Sequence, residues 1–180
     1  VVTGMGCVSA LGNTPEILWE NLLAGKSGVT TITHFDTSAY EVHFAAEVKE
    51  FDASPYFNDR DQKRYSRNIQ YAVSAASDAV KNSGLNVDSL DKSRAGVILA
   101  SGMGGMDVYY DTSATLSNKG PRRVSPFFIP MAITNMAAGE VSIRFGFMGP
   151  NFTTTSACAS SNHALIAAAD QIRLGRADVM

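Results

Sequence analysis

Cys158 lies in the stretch TTTSACASSNHA, residues 153–164, where a threonine-rich segment gives way to alanines and serines. The pattern predicts a strand that ends near Ala157 and a helix that begins at about Ala159. Unpaired backbone N–H groups and the dipole at a helix N-terminus favour the thiolate form of a cysteine. The N–H beside the sulfur can also donate to the oxygen of an attacked carbonyl group. One interpretation of this position is therefore a cysteine nucleophile that attacks a carbonyl group.

Position alone leaves a second interpretation of Cys158 open. Most free cysteines are small, buried apolar residues without a chemical role. The residues on either side of Cys158 are small enough to leave room for a thioester or an acyl chain. The other cysteine, Cys7, follows Gly6 near the end of a predicted strand, and we expect it to pack in the core.

A nucleophilic cysteine needs a base or an electrostatic partner, and the chain has three histidines. His163 lies five residues after Cys158, which on a helix turns the imidazole well away from the thiol. We expect it to be a packed or surface residue. His34 and His43 lie in a segment typical of loops and reach Cys158 only through tertiary folding. The sequence thus assigns no histidine to the thiol.

The composition is that of one medium-sized globular domain, with 180 residues, 45% hydrophobic and 18% charged. A formal net charge of -2 gives no overall attraction to nucleic acid or to an anionic membrane. The cysteines lack metal-ligand spacing, which predicts a reducing compartment and no zinc site. No apolar run reaches the roughly 20 residues that span a bilayer. We therefore predict no nucleic acid, membrane or metal as a partner.

Strands and helices alternate in the predicted order of elements, which favours an α/β layered fold. The apolar run RAGVILASG, residues 94–102, predicts a central parallel strand covered on both faces. Further strands are predicted at residues 1–9, 43–48 and 151–157. Helices are predicted between a cap at Thr14 and a stop at Gly25, and over residues 61–83, 108–116, 129–146 and 159–174.

The last predicted helix and the residues after it carry two further expectations. Ala164, Leu165, Ala168 and Ile172 recur at helical spacing and are predicted to form its inner face. The final residues, GRADVM, turn apolar after a glycine, as at the start of a strand. We expect from this ending that the chain is truncated.

Basic residues form two clusters, and two interpretations of them are open. The members are Arg60, Lys63, Arg64 and Arg67 at the start of the long helix, and Arg122 with Arg123 in a loop. The pattern alone favours a solvated face. The alternative is a docking surface for an acidic partner, since local charge steers association even on a nearly neutral protein.

The whole chain resembles a known family. The segment from GPRRVSPFF to the C-terminus, together with VVTGMGCVSALGN, LLAGKSGV and ASGMGG, resembles the elongating beta-ketoacyl-acyl-carrier-protein synthases, most closely synthase II. The resemblance implies a thiolase-like layered α-β-α-β-α fold with two similar halves, in a homodimer. Residues 1–180 correspond to the N-terminal beta-ketoacyl synthase domain, and the C-terminal half is absent.

The resemblance implies a condensing reaction of fatty acid synthesis in the cytoplasm, or in the plastid stroma of a plant or alga. Cys158 takes an acyl group from acyl carrier protein. Malonyl-carrier protein then loses carbon dioxide, and the carbanion attacks the enzyme thioester to give a 3-oxoacyl product two carbons longer. The N–H of Cys158 is one oxyanion donor, and no redox or metal cofactor takes part.

Further site residues follow from the same resemblance. Met103 aligns with the gate of the acyl pocket, and Phe128 and Ile129 align with residues that reach the pocket floor across the dimer interface. The basic residues Arg60, Lys63, Arg64, Arg122 and Arg123 fall where the family presents positive charge to the acidic carrier protein. The resemblance thus reverses the preference for a solvated face.

The residues that assist decarboxylation are missing from residues 1–180. In the family, two histidines, a lysine and the second oxyanion donor belong to the C-terminal half, and His34, His43 and His163 do not replace them. For a polypeptide that ends at Met180 we expect no condensing activity and poor folding. The alternative hypothesis is an inactive fragment, or a non-catalytic module that binds carrier protein or dimerises. The intact SACAS sequence argues against lost chemistry.

Overall fold

The structure is a computed structural model that describes residues 1–180 and shows the predicted alternation of helices and strands. The helices are α1 Pro15–Leu23, α2 Asp59–Gln62, α3 Arg67–Asn82, α4 Met106–Lys119, α5 Phe128–Ala132, α6 Met136–Phe145 and α7 Ser160–Arg173. The strands are β1 Thr30–Thr31, β2 Phe44–Ala45, β3 Val97–Ala100 and β4 Asn151–Thr154. Single 3-10 turns occupy Val87–Ser89, Lys92–Arg94, Pro121–Arg123 and Ala157–Ala159.

The strand β3 is central, as the sequence predicts. It pairs in parallel with β4, in a register that places Val97 opposite Asn151. On its other edge the Gly96 N–H donates to the Val179 carbonyl at 3.0 Å, so the apolar C-terminal residues do begin to pair with the sheet. Val97 is buried and the rest of β3 is half-buried, with α6 and α7 packed against the strand.

The core lies between α3, α6 and the two parallel strands. Ile69 and Val73 of α3 are fully buried, and Ala138 and Val141 of α6 pack with them. The amphipathic spacing of α3 is therefore confirmed. Only 19 of the 180 residues are buried, so much of the apolar surface faces solvent, including Leu165 of α7. Apolar surface of this extent is typical of faces that contact other protein.

The N-terminal segment does not form the predicted strand over residues 1–9. Residues 1–8 have no regular secondary structure and lie against α3. A Cβ atom at Gly6 would lie 2.0 Å from the Ala75 carbonyl oxygen, so this approach requires glycine. The N–H of Met5 donates to the Asn82 side chain at 3.0 Å. The N-terminal segment thus packs against α3 and does not pair with a neighbouring strand.

Two predicted helices are each divided in the structure. The helix predicted over residues 61–83 is α2 and α3, and the Gln70 amide donates at 2.8 Å to the carbonyls of Gln62 and Tyr65 at the break. The helix predicted over residues 129–146 is α5 and α6. The break falls at Ile133, whose ψ of 147° is extended. Long uninterrupted helices at these two places are therefore wrong predictions.

The remaining elements agree more closely with the sequence. Thr14 caps α1 by accepting the Ile17 N–H at 3.3 Å, and Pro15 is the first helical residue. The strand predicted over residues 43–48 is reduced to the two residues of β2, and α4 contains the segment predicted over residues 108–116. The strand predicted over residues 151–157 already ends at Thr154.

The inner face of α7 is only partly the predicted one. Ala164 is buried and Ala168 is half-buried, and α7 packs against β3 and β4. Leu165 is 66% exposed and Ile172 is 45% exposed, so both were wrongly placed on the inner face. Small residues let the helix lie close to the strands, which turns the neighbouring Leu165 outward.

Glu47 joins the two ends of the β1–β2 hairpin. Its carboxylate accepts the N–H and hydroxyl of Thr33 and the N–H of His34, at 2.8 to 3.1 Å. Burial would raise the pKa of Glu47, but the hydrogen bonds from Thr33 and His34 outweigh it and hold the pKa below its ordinary value. The folded state therefore gains stability from this carboxylate above the ordinary glutamate pKa and loses it as the pH falls through the lowered value.

Replacing Glu47 with glutamine is expected to lower the urea midpoint of unfolding at pH 7, and to lower it by less at pH 3. At the lower pH a larger share of the Glu47 carboxyl group is protonated in the wild type, so less of its charge is left to remove. Urea titrations at the two pH values measure this difference. Glu41, an exposed carboxylate between β1 and β2 with no hydrogen bond of its side chain, provides the matched Glu41→Gln control. Equal losses at both pH values would contradict the role of the charge.

Candidate functional site

Cys158 lies in the 3-10 turn that joins β4 to α7, between the strand end at Thr154 and the helix start at Ser160. Its side chain is exposed. The preceding residue, Ala157, has a φ of 49°, in the left-handed region that residues with a Cβ rarely adopt. A tight, strained turn thus presents the cysteine at the surface, and the interpretation of Cys158 as a buried apolar residue is wrong.

The backbone N–H of Cys158 takes no part in the hydrogen bonds of this turn. The two bonds that close the turn are donated by Ala159 to the Ser156 carbonyl, at 3.1 Å, and by Ser160 to the Ala157 carbonyl. The first N–H groups of a helix have no intrahelical acceptor. The N–H of Cys158 is therefore free to donate to an oxygen of a molecule bound at the sulfur.

The turn is held from inside by Ser160. The Ser160 hydroxyl donates to the Ala157 carbonyl at 2.7 Å and accepts the Ser156 N–H at 2.8 Å. The carbonyl of Ser160 accepts the hydroxyl of Thr154 at 2.8 Å. Ser160 is 5% exposed, so its hydroxyl has these partners in place of water. From the sequence, Ser160 counts only as a small neighbour of Cys158.

The histidines do not pair with the thiol. His163 is exposed, as expected, but its Nδ1 lies 2.6 Å from the Ser156 hydroxyl, so it contacts the base of the turn. His34 lies 3.9 Å from Glu47, and His43 lies 3.0 Å from the Thr37 hydroxyl, both in the β1–β2 hairpin. None of the three forms a hydrogen bond with Cys158.

A short loop after β3 is joined to the cysteine turn. The Thr155 hydroxyl donates to the Ser101 carbonyl at 2.8 Å, and the Ser101 N–H donates to the Thr154 carbonyl at 3.3 Å. The Ser101 hydroxyl in turn accepts the Gly104 N–H at 2.9 Å. Met103 lies within this loop and is 61% exposed. The loop with Met103 is thus fixed to the strand that leads into the cysteine turn.

The same loop contacts α5, where the other two predicted pocket residues lie. The Gly105 N–H donates to the Ala132 carbonyl at 3.0 Å. Phe128 is half-buried, with its ring edge-on to Tyr109 at a centroid distance of 5.4 Å, and Ile129 is 56% exposed. Hydrogen-bonded segments therefore connect Met103, Phe128 and Ile129 to the turn of Cys158.

One residue of the first basic cluster packs on an aromatic ring that follows the second cluster in the sequence. The guanidinium of Arg64 lies 4.3 Å from the centre of the Phe127 ring, four residues after Arg123. Arg64 also lies 4.0 Å from Asp61. The other four predicted docking residues are exposed and form no ion pair, namely Arg60, Lys63, Arg122 and Arg123. Their charges are available to an external partner.

Cys7 differs from Cys158 in its surroundings. It lines an apolar cavity of about 810 Å³ between the N-terminal segment, α1, α3 and β3, and is half-buried, less than core packing predicts. Burial raises the pKa of the Cys7 thiol, and the negative charges of Glu16 and Asp78 raise it further. A thiol that stays protonated is a poor nucleophile.

Neither a metal centre nor a membrane span is found. No group of three or more histidine, cysteine, aspartate or glutamate side chains is placed to hold a metal ion. No helix has the length and apolar character needed to cross a bilayer.

The parallel strands, their packed helices and the cysteine turn between β4 and α7 define a thiolase-like α/β fold. A solved structure of a beta-ketoacyl synthase from Burkholderia phymatum superposes with a TM-score of 0.84 at 26% identity, over 98% of this chain and 44% of that one. Residues 1–180 match the family described as "Beta-ketoacyl synthase, N-terminal domain". The chain belongs to this family.

Curated relatives agree with this assignment. The 3-oxoacyl-[acyl-carrier-protein] synthase 2 of Vibrio cholerae is 44% identical over 180 residues, 100% of this chain and 44% of the relative. The protein of the same name from Staphylococcus aureus is 43% identical, over 100% of this chain and 45% of the relative. The resemblance to the synthase II group is therefore confirmed. The chain spans less than half the length of the relatives it matches.

Proposed function

We propose that the chain is the nucleophile-bearing part of a condensing enzyme of fatty acid synthesis, a 3-oxoacyl-acyl-carrier-protein synthase. The observation that carries this proposal is the position of Cys158, which is exposed in a strained turn. The backbone N–H of Cys158 donates to no carbonyl of the turn or of α7. Such a turn supplies a nucleophile and an oxyanion donor at one residue. The activity named for the relatives needs both.

In the first half-reaction, the Cys158 thiolate attacks the carbonyl carbon of an acyl thioester on acyl carrier protein. A new carbon–sulfur bond forms, and the N–H of Cys158 donates to the oxyanion of the tetrahedral intermediate. The bond to the carrier sulfur then breaks, and the carrier thiolate takes up a proton from solvent. The acyl group remains on Cys158 as a thioester.

In the second half-reaction, malonyl-carrier protein loses carbon dioxide, and the electron pair of the broken bond stays on the remaining carbon. This carbanion attacks the acyl group, forms a carbon–carbon bond and displaces the Cys158 thiolate. The product is a 3-oxoacyl-carrier protein two carbons longer. We assign no residue among 1–180 to the decarboxylation, and we assign no cofactor to the reaction.

The acyl chain is proposed to lie beside Met103, with Phe128 and Ile129 at the pocket floor of the other subunit in a homodimer. Support comes from the hydrogen bonds that join these segments to the cysteine turn and from the exposure of Met103 and Ile129. Exposed apolar side chains beside a nucleophile suit an acyl substrate. The proposed compartment is the cytoplasm, or the plastid stroma of a plant or alga.

The carrier protein is proposed to dock on Arg60, Lys63, Arg64, Arg122 and Arg123. Four of these charges are exposed and free of ion pairs, and Arg64 packs on the ring of Phe127, four residues after Arg123 in the sequence. An acidic partner gains association rate from such a patch, and the gain falls as salt rises.

Reversing the charge of Lys63 tests this docking surface. Lys63→Glu is expected to weaken binding of acyl carrier protein about threefold to tenfold at low salt, with a smaller effect at high salt. Titration calorimetry or fluorescence anisotropy measures the affinity. Lys81→Glu, at the opposite end of α3, makes the same change in net charge and is expected to bind as the wild type does. Equal losses in both variants would contradict a localised site.

The function itself is tested by product formation. The complete natural polypeptide that carries this sequence is incubated with acyl-carrier and malonyl-carrier thioesters, and mass spectrometry detects the carrier-bound product. We expect a 3-oxoacyl chain two carbons longer. Binding of carrier protein without acyl transfer would contradict the enzyme and favour the non-catalytic module.

A further inference from the structure

One side chain bonds the two peptide groups that flank the Ser156–Ala157 peptide. The Ser160 hydroxyl accepts the N–H of Ser156 at 2.8 Å and donates to the carbonyl of Ala157 at 2.7 Å. One hydroxyl thus bonds both residues that lead into Cys158. Because Ser160 is 5% exposed, water has little access to replace either bond.

The conformation that these bonds hold is not one that alanine adopts readily. Ala157 has a φ of 49°, and a left-handed alanine relaxes unless its surroundings oppose the change. The orientation of the Ala157 carbonyl and of the Cys158 N–H is set by the same peptide plane. Any relaxation at Ala157 therefore turns the N–H of Cys158 away from its present direction.

Ser160 is itself fixed to the end of β4. The Thr154 hydroxyl donates to the Ser160 carbonyl at 2.8 Å, and β4 is paired with β3. Ser160 also donates its N–H to the Ala157 carbonyl, so this oxygen accepts two hydrogen bonds from one residue. Hydrogen bonds of Ser160 thus connect the end of β4 to the peptide that joins Ala157 to Cys158.

We propose that Ser160 is a positioning residue for Cys158, which keeps the Cys158 N–H directed at the acyl oxygen. This inference rests on the proposed acyl transfer. The Ser160 hydroxyl forms no hydrogen bond with the sulfur, and it acts through the peptide that joins Ala157 to Cys158. Acyl transfer through a tetrahedral oxyanion depends on this N–H, whereas alkylation of the thiolate by iodoacetamide forms no oxyanion and does not.

Comparing these two reactions on Cys158 tests the proposal in the complete natural polypeptide. Ser160→Ala is expected to lower the single-turnover rate of acylation by an acyl-carrier thioester about 100-fold. The rate of alkylation by iodoacetamide, followed across pH, is expected to stay within about threefold, because the thiol remains exposed. Ser160→Thr retains the hydroxyl and is expected to recover most of the acylation rate.

Two further variants provide the controls. Ser161→Ala removes an exposed neighbouring hydroxyl that makes no hydrogen bond, and it is expected to change neither rate. Thr154→Val removes the bond to the Ser160 carbonyl with little change in volume, and is expected to lower acylation about tenfold without changing alkylation. Thr154→Val also serves if Ser160→Ala does not fold.

The outcomes separate this inference from the proposed function. Wild-type acylation together with an unchanged rate in Ser160→Ala or Thr154→Val would overturn the positioning role alone. Equal losses of acylation and alkylation would also overturn it, since they indicate general disruption of the site. No acylation of the wild type, with Cys158 still alkylated, would overturn the proposed function and the inference with it.

Discussion

Replacing Cys158 with alanine is expected to lower the rate of acyl transfer from a carrier thioester to the protein more than about 1000-fold. The variant lacks the sulfur that forms the thioester. Alanine is smaller than cysteine, so we expect the turn and the fold to remain. Transfer of a radiolabelled acyl group to the protein measures the loss.

Cys7→Ser is the matched control for this prediction. Cys7 lines an apolar cavity, and burial together with nearby negative charge raises the pKa of its thiol. We therefore expect wild-type rates of acyl transfer in Cys7→Ser. A variant lacking Cys158 that still accepts the acyl group, or a Cys7→Ser protein that does not, would show that the nucleophile is wrongly assigned.

Replacing Ile69 with alanine is expected to reduce the free energy of unfolding by about 3 kcal/mol, since it leaves a cavity in the core. Ile69 is fully buried on α3, at 0% exposure, where α3 packs against α6. Urea unfolding followed by circular dichroism measures the change.

Ile166→Ala removes the same atoms from a solvent-facing position. Ile166 lies on α7 and is 58% exposed. We expect a loss below about 1 kcal/mol, because the side chain leaves water only partly on folding. A loss at Ile166 as large as the loss at Ile69 would mean that the outer face of α7 is covered and that the core is not where the structure places it.

The elements near the candidate site were predictable because short-range rules govern them. The strand-to-helix junction is marked by a cysteine among small residues, which follows a β-branched stretch and precedes a run rich in alanine. Helix α7 begins within one residue of the predicted start. Thr14 and Pro15 specify the start of α1 by the same local chemistry.

The break in the helix predicted over residues 129–146 is indicated by residue types at the break, although the apolar spacing does not show it. Apolar spacing continues through the break, which suggests one helix. The β-branched pair Ile133 and Thr134, followed by Asn135 at the N-cap position of α6, marks an interruption.

Other features depend on tertiary contacts that a sequence does not display. Gly6 reads as a turn residue after a strand, whereas its role is to let the N-terminal segment approach the backbone of α3. Leu165 fits an inner helical face by spacing, yet the strands accept only the smaller side chain of Ala164. In both cases the packing against a neighbouring element determines the conformation or exposure of the residue, and its local propensity does not.

The role of Ser160 in the site likewise depends on tertiary contacts that the sequence does not display. Its hydrogen bond to the Ser156 N–H requires the left-handed Ala157, and no sequence pattern predicts that conformation for alanine. His163 forms no hydrogen bond with the thiol, and its contact with the Ser156 hydroxyl joins residues seven positions apart. The nucleophile was therefore predictable, and the network that holds it was not.

The central claim, that Cys158 accepts the acyl group, is tested most directly by locating that group. The complete natural polypeptide is incubated with a long-chain acyl-carrier thioester, digested, and mapped by tandem mass spectrometry. The account predicts the acyl mass on the peptide that contains Cys158 and none on the peptide that contains Cys7. An acyl group on Cys7, or carrier protein bound with no acyl group on either cysteine, would contradict it.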